Sequence, residues 1–268
     1  MRLLRTIADV RETLADPRRN GDRVGLVPTM GALHAGHLEL LRAARRDCDL
    51  VVMSLFVNPS QFDQADDLAR YPRPEESDLE TAAAEGVDIV FAPSADELYP
   101  AGFDTWVEPG SLATILEGAV RPGHFRGVAT VCTKLFSIVQ PAVAYFGQKD
   151  AQQVAVVRRV VADLDQPLEI AAVPTVRDPD GLALSSRNRF LSPGERTAAL
   201  ALPRSLDAGL AAAASDGDPV AAARAVLDAE AALSVDYVAV AEFEVPTLVA
   251  AVRVGSTRLI DNARLDSR

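Results

Sequence analysis

The chain has few of the residues from which disulfide scaffolds and nucleic-acid surfaces are built. Its 268 residues include only two cysteines, Cys48 and Cys132. Both fall in apolar helical patterns, so we expect buried free thiols and no disulfide. The 38 acidic residues outnumber the 27 basic ones and give a net charge of −11, which argues against a nucleic-acid surface. An anionic ligand would therefore need a local cationic pocket.

Long apolar runs and the commonest nucleotide-binding loops are also missing from the sequence. No apolar run approaches membrane-spanning length, and the first residues lack the apolar stretch of a signal peptide. We therefore expect a cytoplasmic protein without a membrane or nucleic-acid partner. Neither a Gly-x-x-x-x-Gly-Lys-Ser/Thr loop nor a Gly-x-Gly-x-x-Gly turn occurs. Any phosphate site must use other groups.

What the sequence does contain is an alternation of short apolar runs and longer helical patterns. Strands are predicted at 24–27, 50–57, 88–92, 142–146 and 168–176, with helices at 38–48, 78–85, 128–139 and 151–164. This order is typical of an α/β fold, here a Rossmann-like parallel sheet with helices on both faces. Ligands of such sheets bind at the carboxyl ends of the strands.

The alternation of strand and helix patterns ends near residues 175–181, where Asp178-Pro179-Asp180-Gly181 is typical of a turn. Alanine-rich helices are predicted at 193–214 and 219–233, followed by strands at 235–240, 248–254 and 257–261. We therefore predict two domains. Residues 1–175 form the Rossmann-like domain, and residues 176–268 form a small C-terminal α+β domain that acts as a lid.

The most informative residues are two of the three histidines in the chain, His34 and His37. They follow the first predicted strand and precede a helical pattern, which places them at the start of a helix. Residues three apart share one helix face, and a helix N-terminus offers backbone N–H groups and positive potential. The pair therefore favours a phosphate site. Zinc binding is the alternative, but no third ligand lies at a suitable spacing. The other alternative is that the spacing of the two histidines arose by chance.

Polar residues also follow two other predicted strands. Gln61 comes after the second strand and can both donate and accept hydrogen bonds, whereas Asn58 before Pro59 more readily fixes the turn. Lys149 follows the fourth strand and supplies a positive charge, although such a lysine is often only a solvated surface residue. Gln153 lies one helical turn beyond Lys149.

Two further segments carry groups that suit anions. Ser185, Ser186 and Arg187 place two hydroxyls and a guanidinium in sequence, near the predicted domain boundary. The segment 121–127 is a basic loop that contains glycines and His124. It either contacts a substrate or orders the wall of the pocket, and the sequence leaves both possibilities open.

Taken together, these segments resemble the pantothenate synthetase (pantoate–β-alanine ligase) family, of the His-x-x-His nucleotidyltransferases. The resemblance extends over nearly the whole chain. It rests on five motifs in order: 28–37 (Pro-Thr-Met-Gly-Ala-Leu-His-Ala-Gly-His), 56–62 (Phe-Val-Asn-Pro-Ser-Gln-Phe), 121–125 (Arg-Pro-Gly-His-Phe), 146–150 (Phe-Gly-Gln-Lys-Asp) and 184–188 (Leu-Ser-Ser-Arg-Asn). It implies that ATP and pantoate give pantoyl adenylate and pyrophosphate, and that β-alanine then displaces AMP to form pantothenate.

The resemblance also implies roles for individual residues. His37, His34 and Lys149 are expected to be catalytic, with His37 at the position usually assigned as proton donor. Pantoate is expected to contact Gln61, Gln153 and Asn58. The residues expected to bind ATP are Met30, Gly31, Ala32, Leu33, His34, Ala35, Gly36, His37, Gly147, Gln148, Lys149, Asp150, Val176, Leu184, Ser185, Ser186 and Arg187.

The family further implies Mg²⁺ on the ATP phosphates, with Asp78 as a metal contact, and a homodimer. Members often carry an acidic residue before that aspartate, whereas this chain has Ser77. Two rival functions remain: another small His-x-x-His adenylyltransferase, and a nucleotide-binding protein without turnover. The acidic charge and the missing anticodon-binding extension disfavour a tRNA-charging enzyme.

Overall fold

The computed structural model describes residues 1–62 and 65–266 of the chain. Contacts divide it into two compact units. The first comprises Met1–Gln148 and Gln152–Val173, and the second comprises Lys149–Ala151 and Pro174–Arg268. Lys149 thus groups with the second unit although it precedes the predicted boundary. Among the described residues, no helix is both long and apolar enough to cross a membrane.

Helices and strands alternate through the first part of the chain. In order, they are β1 (Arg2–Leu4), α1 (Ile7–Asn20), β2 (Val24–Thr29), α2 (Ala35–Asp47), β3 (Leu50–Leu55), α3 (Ala65–Arg70), α4 (Glu75–Ala84), β4 (Ile89–Phe91), α5 (Ala95–Leu98), α6 (Glu117–Val120), α7 (His124–Val139), β5 (Val143–Gly147), α8 (Ala151–Asp163) and β6 (Glu169–Val173). Short 3₁₀ segments at Pro59–Gln61, Ser111–Ala113 and Gln148–Asp150 lie between them.

The six strands β1 to β6 form one parallel sheet in the order β1-β4-β3-β2-β5-β6. This confirms the predicted α/β class and all five predicted strands of the sheet. The chain order reverses at β2, which pairs with both β3 and β5. Loops that leave the carboxyl ends of β2 and β5 therefore start side by side, at the position where such sheets bind ligands.

Both faces of the sheet are buried, which is why its strands are apolar runs and not alternating ones. In β3, Val52 packs into one apolar cluster while Val51 and Met53 pack into the other. Helices α1 and α7 cover the first face through residues such as Leu14 and Val128, and α2 covers the second. The sheet is thus a fixed platform for the loops at its edge.

Two elements at the start of the chain escaped the sequence prediction. β1 is a three-residue edge strand that pairs only with β4. α1 begins after Thr6, whose hydroxyl accepts a hydrogen bond from the backbone N–H of Asp9 and so caps the helix. Most of its surface is exposed, and only Val10 and Leu14 are buried. With so few buried apolar positions, the sequence pattern does not identify this segment as a helix.

The second unit contains a separate apolar core. Its elements are a 3₁₀ segment at Ser186–Phe190, helices α9 (Pro193–Ala199), α10 (Ala201–Ala213) and α11 (Pro219–Asp228), and strands β7 (Leu233–Glu242), β8 (Pro246–Val254) and β9 (Thr257–Arg264). The three strands form an antiparallel sheet in the order β7-β8-β9. This agrees with the predicted small α+β architecture.

Both cysteines are buried free thiols, as predicted. Burial raises the pKa of Cys132 to about 12, so this thiol stays protonated and unreactive at neutral pH. Cys48 is the C-cap of α2, and its Sγ lies 3.4 Å from the hydroxyl oxygen of Tyr145.

Candidate functional site

The loop after β2 places both histidines at the start of α2. His34 is the N-cap of this helix, and its Nδ1 accepts a hydrogen bond from the backbone N–H of Gly36 at 3.2 Å. His37 Nδ1 accepts in turn from the backbone N–H of His34 at 3.3 Å. The two imidazole centroids lie 4.1 Å apart. The expected pairing of the rings on one helix face is therefore present.

These contacts determine what the rings can donate. Since Nδ1 of each neutral imidazole accepts a backbone hydrogen bond, its ring proton lies on Nε2. Nε2 is a different atom from the Nδ1 that accepts the backbone hydrogen bond, so donation from Nε2–H to an anionic oxygen is compatible with the helix cap. Two such donors next to a helix N-terminus match the needs of a phosphate group.

The residues between β2 and His34 adopt a backbone conformation that needs outside support. Gly31 and Ala32 both have positive φ angles, of 84° and 52°. The conformation is ordinary for glycine but costs alanine about 1 kcal/mol. The carboxylate of Asp78 in α4 supplies the support, since it accepts hydrogen bonds from the N–H groups of Ala32 and Leu33, each at 2.8 Å. Asp78 is only 3% exposed.

Asp78 is also the expected metal contact, and its carboxylate has partners within the protein. Both of its carboxylate oxygens are engaged by backbone N–H groups. Within residues 1–62 and 65–266, no group of three or more His, Cys, Asp or Glu side chains is placed to hold a metal ion. Asp78 therefore supports the histidine loop, and its contact with a metal ion stays a prediction, since a carboxylate oxygen that accepts one hydrogen bond keeps a second lone pair.

Gln61 lies at the end of the 3₁₀ segment that follows β3, and it is nearly buried. Its Oε1 accepts from Asn58 Nδ2 at 3.1 Å, and its Nε2 lies 2.9 Å from Met30 Sδ in the histidine loop. Gln61 and the predicted ATP-binding loop are thus neighbours within the first unit. The sequence predicts that Met30 and Gln61 follow two consecutive strands, and in the structure their side chains are in contact.

Asn58 is 1% exposed, and its side chain is occupied within the protein. Its Nδ2 donates to Gln61 Oε1 and to the Gly127 carbonyl, and its Oδ1 accepts from Ser60 and from the Tyr99 hydroxyl at 2.9 Å. These contacts favour the turn-fixing role. Contact between Asn58 and a substrate stays a prediction.

Tyr99 and His124 also support Gln61. The sequence does not point to Tyr99, and it leaves the role of the segment that contains His124 undecided. Burial raises the pKa of Tyr99, which keeps its hydroxyl protonated and able to donate to Asn58. His124 Nδ1 lies 2.9 Å from the Gln61 carbonyl, and His124 Nε2 lies 3.2 Å from Arg121 Nη1. The segment 121–127, which the structure divides between a turn and the start of α7, therefore orders the backbone at Gln61. No signal in the sequence linked Tyr99 to this position.

Gln153 in α8 is the predicted pantoate contact, but its neighbour Gln152 is the more deeply buried of the two. Gln152 donates to the carbonyls of Leu112 and Ile115 and accepts from the backbone N–H of Glu117. It therefore fixes a loop segment. Gln153 is half-buried on the same helix, and its contact with pantoate stays a prediction.

Of the remaining predicted ATP-binding residues, Gly147 and Gln148 belong to the first unit, whereas Lys149, Asp150, Val176 and residues 184–187 belong to the second. Val176 and Leu184 are joined by a backbone hydrogen bond of 2.9 Å. Ser185 caps the 3₁₀ segment by accepting from the Arg187 N–H. Lys149, Ser185 and Arg187 line one pocket, and Lys149 Nζ lies 3.3 Å from Asp150 Oδ1. The predicted cationic residues of this part of the chain are thus close neighbours.

Comparison with known proteins decides the family of this chain. The family model described as pantoate-beta-alanine ligase matches residues 2–264. The chain belongs to the pantoate–β-alanine ligase family.

Individual ligases of this family are similar over their full length. Pantothenate synthetase from Moorella thermoacetica is 51% identical over 280 residues, with 99% of each chain covered. The crystal structure of pantothenate synthetase from Thermus thermophilus superimposes with a TM-score of 0.93 at 46% identity, covering 99% of each chain. Pantoate-beta-alanine ligase from Francisella tularensis, crystallised with beta-gamma ATP and beta-alanine, gives a TM-score of 0.85 at 33% identity, covering 100% of this chain and 99% of that one.

Proposed function

We propose that the chain catalyses the ATP-dependent condensation of (R)-pantoate with β-alanine to pantothenate, with release of AMP and pyrophosphate. The observation that carries this proposal is the imidazole pair at the start of α2, 4.1 Å apart, in a chain of the pantoate–β-alanine ligase family. The acidic overall charge, −11, is consistent with small substrates held by local cationic groups.

The reaction has two steps that need positioning and charge neutralisation more than a strong base. A pantoate carboxylate oxygen first attacks the α-phosphorus of ATP, and the bond to pyrophosphate breaks. The amine of β-alanine then attacks the acyl carbon of pantoyl adenylate. The C–O bond to AMP breaks with its electron pair, and the amine nitrogen loses a proton as the amide forms.

The roles of the residues follow from their chemistry. His34 and His37 donate Nε2–H hydrogen bonds to ATP phosphate oxygens as negative charge develops there. Lys149 contributes a point charge, and Ser185, Ser186 and Arg187 contribute hydroxyl and guanidinium donors to the phosphates. Gln61 and Gln153 hold pantoate, and Gln61 also lies near β-alanine. The backbone of the loops 30–37 and 147–150, with Val176 and Leu184, completes the ATP site.

Asp78 would contact Mg²⁺, which would be bound together with ATP and would offset part of the negative charge of its phosphates. By resemblance to the family, we also propose a homodimer located in the cytoplasm.

Pyrophosphate release tests reaction class and substrate together. With ATP and Mg²⁺, the purified protein is expected to release pyrophosphate only after pantoate is added, and to form AMP and pantothenate in equal amounts once β-alanine is present. A coupled pyrophosphate assay with chromatography of the nucleotides measures both. Release that does not depend on pantoate would point to another adenylyltransferase, and no release at all would point to a nucleotide-binding protein.

Gly127 offers a test of the pantoate site. A Cβ at this position would lie 2.3 Å from the Ser60 carbonyl oxygen and 2.7 Å from the Gln61 backbone nitrogen. Gly127→Ala therefore forces the Gln61 segment to move. We expect a loss of about 1–3 kcal/mol in unfolding free energy and a raised KM for pantoate. Denaturant titration and steady-state kinetics measure the two effects.

Gly194→Ala is the matched control, because a Cβ there meets no heavy atom within 4 Å. It is expected to leave KM unchanged and to alter stability by less than about 1 kcal/mol. An unchanged KM for pantoate in a folded Gly127→Ala variant would contradict the placement of Gln61 at the substrate.

A further inference from the structure

Strand β9 contains two adjacent buried polar residues that the proposed mechanism does not use. Asp261 and Asn262 are only 2% and 6% exposed. Burial of a carboxylate or an amide costs free energy unless its polar atoms find partners within the protein. Adjacent side chains of a strand point to opposite faces, so these two can each hold a different segment of the chain.

The partner of Asp261 is Arg177. Arg177 Nη1 donates to Asp261 Oδ2 at 2.6 Å, and Arg177 Nη2 donates to Asp261 Oδ1 at 3.1 Å. Two contacts of this kind fix both the distance and the plane of the guanidinium. The backbone N–H of Asn262 also donates to Asp261 Oδ1 at 2.8 Å, and the Asp261 side chain has no exposed surface. The carboxylate is therefore a fixed anchor for Arg177.

Arg177 stands in a short hairpin, residues 176–184. Across this hairpin, the backbone N–H of Leu184 donates to the Val176 carbonyl at 2.9 Å. Arg177 Nη1 also reaches the turn of the hairpin, where it donates to the Gly181 carbonyl at 3.1 Å. The ion pair thus ties to β9 a hairpin that carries two of the residues expected to bind ATP.

The partner of Asn262 is the backbone of Lys149. Asn262 Nδ2 donates to the Lys149 carbonyl at 2.8 Å. This contact holds the backbone from which the Lys149 side chain projects. Lys149 and Ser185, which follows the hairpin, line one pocket together with Ile260 of β9. Two segments that line this pocket are therefore each bonded to one of two adjacent residues of β9, which also lines it.

The ion pair between Arg177 and Asp261 is suited to fixing a position more than to adding stability. Desolvation of two charges offsets much of their Coulomb attraction, so a buried pair adds little compared with apolar residues of similar volume. Removing one partner has a large effect, because the other charge is then left without compensation. Loss of the Asp261 charge should therefore displace Arg177 and, with it, the hairpin.

We propose that Asp261 and Asn262 are positioning residues for the ATP site. Asp261 acts through Arg177 on the 176–184 hairpin. Asn262 acts on the backbone of Lys149. The inference rests on the proposed function, because that function assigns both segments to ATP. In this scheme neither residue touches a substrate, and each acts only through the groups that do.

Asp261→Asn tests the first contact, and Asp88→Asn is its matched control. Asparagine keeps the shape of the side chain, loses the charge and turns an NH₂ group toward the guanidinium. Asp88 has the same kinds of partner, since its Oδ2 accepts from Arg45 Nη1 at 2.7 Å and from the backbone N–H of Val51 at 2.8 Å. Asp88 precedes β4, at the amino edge of the parallel sheet, whereas ligands of such sheets bind at the carboxyl edge.

The measurements are calorimetric binding of β,γ-methylene ATP with Mg²⁺ and the separate KM values for ATP and pantoate. We expect Asp261→Asn to weaken nucleotide binding and to raise the KM for ATP by about tenfold, with a change of less than about twofold in the KM for pantoate. Asp88→Asn should leave all three within about twofold. An unchanged nucleotide affinity in folded Asp261→Asn, or equal changes for ATP and pantoate, would overturn the inference.

A double variant tests whether Asp261 acts through Arg177. If it does, Asp261→Asn combined with Arg177→Gln should lose no more nucleotide affinity than the more weakly binding single variant, because both substitutions remove one contact. Losses that multiply would contradict the route through Arg177.

Asn262→Ala tests the second contact. The freed Lys149 backbone should lower kcat/KM for ATP by about tenfold, and the same substitution should add little to the loss in Lys149→Ala. An equal loss in the two backgrounds would contradict an action through Lys149.

Thermal unfolding identifies a variant that fails to fold. If Asp261→Asn is one, Arg177→Lys compared with Arg45→Lys carries the test under the same criteria, because lysine keeps the charge and loses the planar donors. Pantoate-dependent pyrophosphate release by the unaltered protein tests the proposed function separately. The calorimetry does not use pantoate, so an active enzyme whose nucleotide affinity ignores Asp261 would overturn this inference alone.

Discussion

Lys149→Ala is expected to lower kcat/KM for ATP by about 10²- to 10³-fold while the fold persists. Lys149 lines the pocket with Ser185 and Arg187, and its side chain is 20% exposed. In the proposed mechanism, a positive charge placed there stabilises the charge that develops on the phosphate oxygens during adenylation. Alanine leaves that charge uncompensated in the transition state, and the loss should therefore be larger in kcat than in KM.

Stability should change far less than catalysis. An ion pair joins Lys149 Nζ to the adjacent Asp150 at 3.3 Å, and such partly exposed pairs contribute about 0–1 kcal/mol. Circular dichroism melting and denaturant titration should thus place the variant near the unaltered protein. This separates a catalytic defect from a folding defect.

Arg159→Ala is the control for charge alone. Arg159 lies on α8, ten residues after Lys149, and its side chain is 62% exposed. Both substitutions change the net charge by one unit, so a shared effect would reflect the field of the whole protein. We expect Arg159→Ala to keep kcat/KM within about twofold. A near-normal rate in Lys149→Ala would remove Lys149 from the mechanism.

The sequence was most informative where the pattern of residues is local or uniform. The strands of the parallel sheet are buried on both faces, so each appears as an apolar run that needs no knowledge of its neighbours. β1 and α1 lack that signal, because one is a three-residue edge strand and the other buries only Val10 and Leu14. The predicted helix at 193–214 is in fact two, since α9 ends at Ala199 and α10 begins at Ala201.

For the site, the sequence pattern identified candidate residues for the chemistry but did not identify the contacts that hold those residues in place. His34, Gln61 and Lys149 stand at strand ends, where topology alone makes them candidates. Tyr99 supports Gln61 by donating to Asn58, which is 41 residues from it in the sequence, and Asp78 contacts Ala32 across 46 residues. Contacts of such separation depend on how the helices pack on the sheet. No regular spacing of residues along the sequence predicts these contacts.

Asp78→Asn is expected to lower both stability and kcat. The carboxylate accepts hydrogen bonds from Ala32 and Leu33, each at 2.8 Å, in a buried position. An asparagine side chain of the same shape keeps one acceptor but turns an NH₂ group toward the second backbone N–H. The loss of one charge-assisted bond and this unfavourable contact should reduce the unfolding free energy by about 2–4 kcal/mol.

The catalytic effect follows from the strained loop that Asp78 holds. Ala32 has a φ of 52°, and His34 begins α2 only two residues later. If the loop relaxes, the imidazoles shift relative to the phosphate, and a shift of about 1 Å can cost roughly 100-fold in rate. We expect kcat to fall by about that factor with a smaller change in KM for ATP, measured well below the melting temperature.

Glu76→Gln is the matched control, and Mg²⁺ dependence separates the two roles considered for Asp78. Glu76 lies in the same first turn of α4 but is exposed, so its substitution tests only the loss of a negative charge near the helix N-terminus, worth about 0.3–1 kcal/mol. A metal ligand at Asp78 predicts that high Mg²⁺ restores the activity of Asp78→Asn. A loop support predicts no rescue, because added metal cannot replace an acceptor for a buried backbone N–H. Recovery of full activity by Asp78→Asn at high Mg²⁺ would therefore contradict the positioning role and favour the metal contact.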